Sequence, residues 1–251
     1  MAEFTVALAG IPIRIVCLFP ETRAYFKDYL TDAEPSFSVE ISAEAIEAER
    51  RYSDEKYALE PGEKPWSKRY LESLALLRQI ADRMPEYGVI LFHGSVIAVD
   101  GKAYLFTAPS GTGKTTHTRL WTETLPGAYI LNGDKPFLKA EPDGRILACG
   151  APWRGKEQYG RNEILPLEAI CLLERDETNH IQAVSPKEAL STLLRQAYVP
   201  AGADRMIPAI GVLDRICRGV RLYRLGCNMN PEAAQVSIRA MIRSDTEDGR
   251  A

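Results

Sequence analysis

The chain has 251 residues, 45% of them hydrophobic, which is enough to bury a core as one large domain or two small ones. Its formal net charge of −3 and isoelectric point near 5.8 argue against a protein that coats nucleic acid or an anionic membrane. Five widely spaced cysteines, an odd number, indicate reduced thiols and a cytoplasmic protein rather than a disulfide framework.

The first part of the chain, residues 1–85, predicts a small α+β unit that binds a substrate or partner. Residues 6–19 are partly apolar but contain Gly10, Pro12 and Arg14, so they indicate two strands and a turn rather than a signal peptide or membrane span. A polar stretch around Glu60-Pro61-Gly62 predicts a loop or linker. The apolar spacing predicts these elements: a hairpin of Phe4–Leu8 and Ile11–Cys17, a helix Glu21–Tyr29, a strand Ser36–Ile41, helices Ala43–Arg51 and Trp66–Met84, and the loop Tyr52–Pro65.

The second part, residues 86–251, predicts a nucleotide-binding core of mixed α/β (α+β) class. It opens with the strands Val89–Val99 and Ala103–Thr107, and Asp100-Gly101 between them strongly favours a two-residue hairpin turn. The further predicted elements are a helix Lys114–Thr122, a strand Gly127–Leu131, a hairpin of Phe137–Glu141 and Ile146–Cys149, a loop Ala151–Glu163, a strand Ala169–Leu173, helices Pro186–Ala197 and Asp204–Arg218, a strand Val220–Leu225, and a helix after Pro231.

The strongest functional signal is the segment from Ala108 to Thr116, which has the pattern of a phosphate-binding loop. Ala108 stands in place of the loop's usual first glycine. Small residues allow backbone N–H groups to surround phosphate oxygens, the Lys114 ammonium can reach the outer phosphates, and the Thr115 hydroxyl can bind Mg²⁺. A predicted strand precedes the loop and a predicted helix follows it, as phosphate binding requires. The alternative is a glycine-rich turn without a ligand. We predict ATP and Mg²⁺ as cofactors, bound by Ser110, Gly111, Thr112, Gly113, Lys114, Thr115 and Thr116.

Two side chains outside the loop are candidates for catalysis. Asp134 ends an apolar strand 20 residues after Lys114, so it can hold Mg²⁺ through water or accept a proton. The alternative is a turn aspartate in Asn-Gly-Asp. His93 lies in the strand whose hairpin partner leads into the phosphate loop, so it can take part in catalysis. The alternative is that His93 is a packed, hydrogen-bonded histidine with no catalytic role. We assign packing roles to His117 and His180.

A cationic segment, residues 150–162, contains Arg154, Lys156 and Arg161 with glycines between them. Such a segment can close over phosphates and offset negative charge in the transition state. We therefore assign Arg154 to catalysis and Lys156 to nucleotide binding. An ordinary exposed loop is the alternative.

These motifs together resemble the HPr kinase/phosphorylase and phosphoenolpyruvate carboxykinase superfamily. The loop from Ser110 to Thr116 is similar to the carboxykinase loop, and His93-Gly94 ahead of an Asp-Gly hairpin is similar to the HPr kinase core, over residues 88–176. The whole chain resembles HPr kinase-like proteins of bacterial peptide-modification loci, through the words LFHGS, SGTGKTTHTRLW, GDKP and PWRGKE. The resemblance implies a P-loop kinase core with active-site roles for Lys114, Thr115, His93 and Asp134.

The chain departs from that family pattern at two acidic positions. Gly133 stands where the family has the first aspartate of an Asp-Asp pair, so only Asp134 remains. Pro152 stands where HPr kinases have an acidic metal ligand, and Glu157 is the nearest substitute. Both departures weaken the case for full catalytic competence but leave nucleotide binding intact.

The sequence leaves competing functions open. The first is an ATP-dependent kinase that transfers the γ-phosphoryl group to a hydroxyl of a peptide, a small protein or a small molecule. The second is a nucleotide-dependent module that binds a peptide or partner without transfer. A carboxykinase, a nucleoside monophosphate kinase or a GTPase fits less well. No nucleic-acid or membrane partner is expected, and homo-oligomer formation is left open.

Overall fold

The computed structural model describes residues 1–56 and 65–242, and the chain divides into two compact units, Met1–Tyr87 and Gly88–Ala251. Residues 57–64 of the predicted loop lie outside the described residues, as do residues 243–251. The binding roles assigned to the two units stay predictions.

The N-terminal unit has a three-stranded sheet in its described part. Strands β1 and β2 are antiparallel and turn at Ala9-Gly10, which confirms the predicted hairpin, whereas β3 runs parallel to β2. The predicted helix Glu21–Tyr29 is one helical turn followed by a 3-10 turn, Lys27–Tyr29. The element bounds are β1 Ala2–Leu8, β2 Ile11–Cys17, α1 Thr22–Tyr25, β3 Phe37–Glu40, α2 Ala43–Lys56 and α3 Lys68–Arg83, with a closing 3-10 turn Met84–Tyr87.

Two buried glutamates tie this unit together. The carboxylate of Glu72 accepts hydrogen bonds from the N–H groups of Leu18 and Phe19, at 2.6 and 3.2 Å, and from the Thr22 hydroxyl. Glu49 receives two bonds from the Arg78 guanidinium, at 2.7 and 2.9 Å. A buried charge is tolerated only when it is paired in this way. The α2–α3 pair is therefore fixed to the sheet by specific polar contacts as well as by apolar packing.

In the C-terminal unit, the long strand β10 belongs to two sheets. Its first residues, Ile164–Pro166, pair with β9 in the sheet order β4-β8-β9-β10. Its later residues lie between the parallel strands β6 and β12, in the order β7-β5-β6-β10-β12-β11. The bounds are β4 Val89–Leu91, β5 Ser95–Val99, β6 Lys102–Thr107, α4 Lys114–Thr124, β7 Tyr129–Asn132, β8 Phe137–Ala140, β9 Ile146–Cys149, β10 Ile164–Arg175, β11 His180–Ala183, α5 Pro186–Gln196, α6 Ala203–Gly219, β12 Arg221–Cys227 and α7 Glu232–Met241.

Helices cover both faces of the second sheet. Along β6, Leu105 packs in the cluster with α5 and α6, whereas its neighbours Tyr104 and Phe106 pack in the cluster with α4 and α7. Because side chains of a strand alternate between faces, a run of apolar residues covered on both faces indicates a central strand. No helix among residues 1–56 and 65–242 has the length and apolar character needed to cross a lipid bilayer.

The structure corrects three predicted elements. The single strand predicted over Val89–Val99 is two strands, β4 and β5, which lie in different sheets. The break is at His93-Gly94, where the N–H of His93 bonds to Gln196 and a Cβ at position 94 would lie 3.0 Å from the Phe106 carbonyl oxygen. The strand predicted at Ala169–Leu173 extends over Ile164–Arg175. His180, expected in a turn, begins β11.

Candidate functional site

The predicted phosphate loop connects the end of β6 at Thr107 to the start of α4 at Lys114. Gly111 and Gly113 have φ angles of +78° and +122°, which side chains other than glycine rarely tolerate. Gly113 caps α4 without a side-chain hydrogen bond, so the first N–H groups of the helix have no capping side chain. This is the geometry in which a helix N-terminus favours an anion.

Lys114 is buried at the mouth of the loop. Its Nζ atom donates hydrogen bonds to the carbonyl oxygens of Ala108, at 2.9 Å, and Pro109, at 3.4 Å. Burial lowers the pKa of Lys114, the Asp134 carboxylate acts to raise it, and Lys135 acts to lower it. The ammonium thus lies over the loop, held by neutral carbonyls that phosphate oxygens can replace.

Asp134 is positioned by the fully buried side chain of Asn132. The Asn132 Oδ1 atom accepts the N–H groups of Asp134, at 3.0 Å, and Lys135, at 2.8 Å, and its Nδ2 atom donates to the Ala151 carbonyl at 3.0 Å. The Asp134 carbonyl in turn accepts the N–H of Gly94 at 3.0 Å. A side chain that bonds the backbone two and three residues ahead stabilises a turn. The backbone of the turn that carries Asp134 is therefore fixed by its neighbours.

Charged and titratable groups converge at this turn. The Nε2 atom of His93 lies 3.5 Å from the Asp134 Oδ1 atom, and the Lys135 Nζ atom lies 3.7 Å from the same oxygen. Lys114 also interacts with the Asp134 charge. The structure therefore brings together His93, Lys114 and Asp134, which the sequence placed in three separate segments.

Gln196 orients the His93 ring from the far side. Its Oε1 atom lies 2.7 Å from His93 Nδ1, so Nδ1 donates and the lone pair of Nε2 faces Asp134. Burial, followed by the charges of Lys135 and Lys114, lowers the pKa of His93 to about 4, although Gln196 and Asp134 act to raise it. His93 is thus a neutral imidazole near pH 7, with an acceptor nitrogen directed at the carboxylate.

The cationic segment is anchored to the same turn. The N–H of Gly133 bonds to the Tyr159 carbonyl at 3.1 Å, and the N–H of Arg161 bonds to the Leu131 carbonyl at 2.9 Å. A Cβ at Gly155 would lie 3.0 Å from the Asp134 Cβ atom, so the backbone at 155 packs directly on Asp134. We call the cationic segment the covering segment, because it packs against the turn that carries Asp134.

The three cations of this segment have different surroundings. The Arg154 side chain is half-buried and packs against Gly160, where an added Cβ would lie 2.9 Å from the Arg154 Cγ atom. Lys156 is exposed. The Arg161 guanidinium lies 3.8 Å from the centre of the Tyr129 ring and 3.7 Å from Glu163. Their roles toward phosphate stay predictions. Arg154 is the cation next to Gly155, whose backbone packs on Asp134.

A metal ion at this site would have few protein ligands. Among residues 1–56 and 65–242, no three histidine, cysteine, aspartate or glutamate side chains are grouped so that they can hold a metal ion. Magnesium in nucleotide sites commonly uses one or two carboxylates together with substrate phosphates and water. The predicted pair of Thr115, which is exposed, and Asp134 matches that sparse kind of site.

The sequence did not point to four residues of the site: Asn132, Lys135, Arg175 and Gln196. Asn132 and Lys135 flank the Gly-Asp pair and carry a local signal, because a polar residue that ends a buried strand commonly forms a turn. Gln196 and Arg175 lie far along the chain from the residues that they contact, so no spacing rule identifies them.

Comparison with known proteins gives a distant likeness to a solved structure. No protein-family model and no curated protein matches the chain. A solved structure of the HPr(Ser) kinase/phosphatase from Coxiella burnetii is similar with 10% sequence identity, coverage of 60% of this chain and 95% of that chain, and a TM-score of 0.36. This is a distant structural relationship, and the assignments below rest on the site geometry instead.

Proposed function

We propose that the C-terminal unit binds Mg²⁺-ATP and transfers the γ-phosphoryl group to a hydroxyl acceptor. The observation that carries this proposal is the convergence of Lys114 at the glycine loop with Asp134 and His93 on one turn. Phosphoryl transfer depends mainly on positioning and charge stabilisation, and these residues supply a phosphate cradle, a cation and a proton acceptor.

The loop would hold the triphosphate. A Cβ added at Gly111 or Gly113 meets nothing within 4 Å, so no other described residue crowds the loop at these two glycines. Ser110 to Thr116 would supply N–H groups to the phosphates, and the Lys114 ammonium would exchange its bonds to Ala108 and Pro109 for phosphate oxygens. When bound by Thr115 and Asp134, Mg²⁺ would neutralise charge on the phosphates.

Asp134 would act as the base in the transfer. Its carboxylate takes the proton from the acceptor hydroxyl, the hydroxyl oxygen forms a bond to the γ-phosphorus, and the bond from that phosphorus to the bridging oxygen breaks toward ADP. Lys114 stabilises the charge on the phosphates throughout. Arg154 would add positive charge from the covering segment, and Lys156 would bind the nucleotide once that segment closes.

The acceptor class follows from the same chemistry. The acceptor would be a hydroxyl of a peptide, a small protein or a small molecule, and the N-terminal unit would bind a substrate or partner. We place the activity in the cytoplasm, where ATP is available. We propose no role for nucleic acid or membrane, and assembly into homo-oligomers is left open.

A nucleotide-dependent binding module is the second candidate. Gly133 favours it, because the turn carries only one carboxylate, Asp134, beside the phosphate loop. In that case the turn would sense the bound nucleotide and pass the change to the covering segment. A partner peptide would then bind without receiving phosphate.

Radiolabelled transfer separates the two candidates. The protein is incubated with [γ-³²P]ATP, Mg²⁺ and a synthetic library of serine- and threonine-containing peptides, and label in peptide and free phosphate is measured. Peptide label above the level given by the Lys114→Ala variant supports the kinase. Tight ATP binding by calorimetry with no label in peptide or in free phosphate supports the binding module instead.

A further inference from the structure

Arg175 contacts the phosphate loop from the neighbouring strand. Thr107, the last residue of β6, pairs with Leu172 on β10, so Arg175 lies three residues further, beside the loop. Its Nη2 atom donates to the Gly111 carbonyl, and its Nε atom donates to the Thr112 carbonyl at 3.4 Å. One guanidinium therefore binds two successive carbonyl oxygens of the loop.

The backbone beneath Arg175 is held on its other side. Arg175 pairs with Cys227 of β12, and the N–H of Asp176 bonds to the Cys227 carbonyl at 3.0 Å. Asn228 extends this connection, because its N–H bonds to Asn179 at 3.0 Å. The backbone of Arg175 is consequently held in the sheet, so its guanidinium can hold the loop in one position.

The charge of Arg175 has no acidic partner in the described ranges. Other arginines of this unit are paired with carboxylates: Arg218 with Asp214 at 2.9 Å, and Arg224 with Glu174. Within residues 1–56 and 65–242, the structure gives Arg175 only the two loop carbonyls. An exposed ion pair with a carboxylate would contribute little, whereas here the fork of the guanidinium binds two carbonyl oxygens of the loop.

The direction of these bonds matters for anion binding. In a loop that surrounds an anion, N–H groups face the anion and carbonyl groups face away from it. Gly111 adopts the positive φ that allows such a turn, and Arg175 binds the carbonyls of Gly111 and Thr112. The guanidinium thus satisfies the carbonyls of Gly111 and Thr112 and occupies none of the loop's N–H groups, of which that of Thr112 bonds to the Pro109 carbonyl at 3.3 Å.

We propose that Arg175 is a positioning residue that holds the phosphate loop in its anion-binding conformation before the nucleotide arrives. The proposal rests on the proposed function, because it concerns the same loop. It predicts that the loop is already ordered in the free protein. Phosphate binding then needs no rearrangement of residues 110–113 and loses little conformational entropy. Arg175 acts through the loop and is not a catalytic residue.

The test uses the full chain and two readouts. Backbone ¹⁵N order parameters are measured for Gly111, Thr112 and Gly113 in the ligand-free protein, and binding of Mg²⁺-tripolyphosphate, a probe with no base or sugar, is measured by calorimetry. Arg175→Ala should lower these order parameters toward the flexible range, below about 0.6, and weaken tripolyphosphate binding about tenfold, since hydrogen bonds from a charged donor are among the stronger ones. Arg175→Lys should recover part of both effects, because it keeps the charge but loses the two-donor fork.

Arg119→Ala is the matched control. Arg119 is an exposed arginine on α4, the helix that follows the loop, and lies 3.6 Å from Glu123. It should change neither readout, and the melting temperature of all three variants should match that of the parent. Unchanged order parameters in Arg175→Ala, or lowered order parameters with unchanged tripolyphosphate binding, would overturn the proposal. Failure of the proposed function looks different: the parent then binds no tripolyphosphate, although the loop amides still respond to Arg175.

Discussion

The Nε2 atom of His93 lies 3.5 Å from the Oδ1 atom of Asp134, and both atoms are proton acceptors when the imidazole is neutral. Burial is the largest cause of the neutral state, and Gln196 selects the tautomer by accepting a hydrogen bond from the Nδ1–H group, which leaves Nε2 as the acceptor. Two acceptors that face each other become a donor and an acceptor once Asp134 gains a proton. The proposed reaction would use this change, because a proton taken up by Asp134 would be shared with His93.

Replacement of Lys114 tests the phosphate loop. Lys114→Ala removes the ammonium that the loop places at its mouth, so ATP binding should weaken by about 10- to 100-fold, the value of a charged hydrogen bond. Calorimetry with Mg²⁺-ATP measures the change. Lys187→Ala, an exposed lysine on α5, is the control and should bind like the parent. Equal affinity in Lys114→Ala would show that the loop is only a turn.

Removal of the Asn132 side chain tests how the Asp134 turn is built. Asn132→Ala leaves buried N–H groups at Asp134 and Lys135, and the carbonyl of Ala151, without their partner. The free energy of unfolding should fall by about 3 kcal/mol, as for other broken buried polar networks. Urea denaturation gives the value. A loss below about 0.5 kcal/mol, the range of ordinary surface substitutions, would contradict the role given to Asn132.

A second carboxylate at position 133 meets a steric limit that the sequence did not reveal. A Cβ there would lie 3.0 Å from the Arg154 carbonyl oxygen and 3.5 Å from the Tyr159 carbonyl oxygen. Gly133→Asp should therefore displace the covering segment, and it should not raise turnover. Gly133→Ala is the matched control, because it brings the same crowding without the charge. Higher turnover in Gly133→Asp than in both Gly133→Ala and the parent would show that the missing charge limits catalysis.

His117 gives the fold a defined pH dependence. Burial against α7 lowers its pKa to about 4, its Nε2 atom contacts the Ser237 hydroxyl at 3.0 Å, and its Nδ1 atom has no hydrogen-bond partner in the described residues. The unfolded chain takes up a proton below the ordinary histidine pKa of about 6.5, whereas the folded protein does not. Stability from this residue is therefore complete above pH 6.5 and is lost as the pH falls toward 4, by about 3 kcal/mol.

Urea denaturation between pH 7.5 and pH 4.5 measures this effect. The stability difference between the parent and His117→Gln should shrink as the pH falls, because the glutamine does not titrate. His180→Gln, which replaces an exposed histidine, should keep a constant difference from the parent. A pH-independent difference for His117→Gln would refute the buried neutral imidazole.

Local patterns predicted most of the elements, and long-range contacts account for the rest. The loop between β6 and α4 follows from glycine spacing and strand order, and Asp134 follows from its place after a buried strand. The break at His93 was not predictable, because it depends on backbone bonds to Gln196 and on the close approach of Gly94 to β6. The same holds for Arg175, whose partners are brought to it by the parallel pairing of β6 and β10.

The Asp134→Asn variant tests most directly whether the protein transfers phosphoryl groups with Asp134 as the base. ADP formation from Mg²⁺-ATP is followed in the parent and the variant, with water or the serine and threonine peptide library as acceptor, alongside calorimetric ATP affinity. A positioned base contributes about 10² to 10⁴ in rate, so the variant should lose at least about 10² in turnover while its ATP affinity stays within a few-fold. Equal turnover in the two proteins, or a parent rate no higher than that of Lys114→Ala, would contradict phosphoryl transfer with Asp134 as its base.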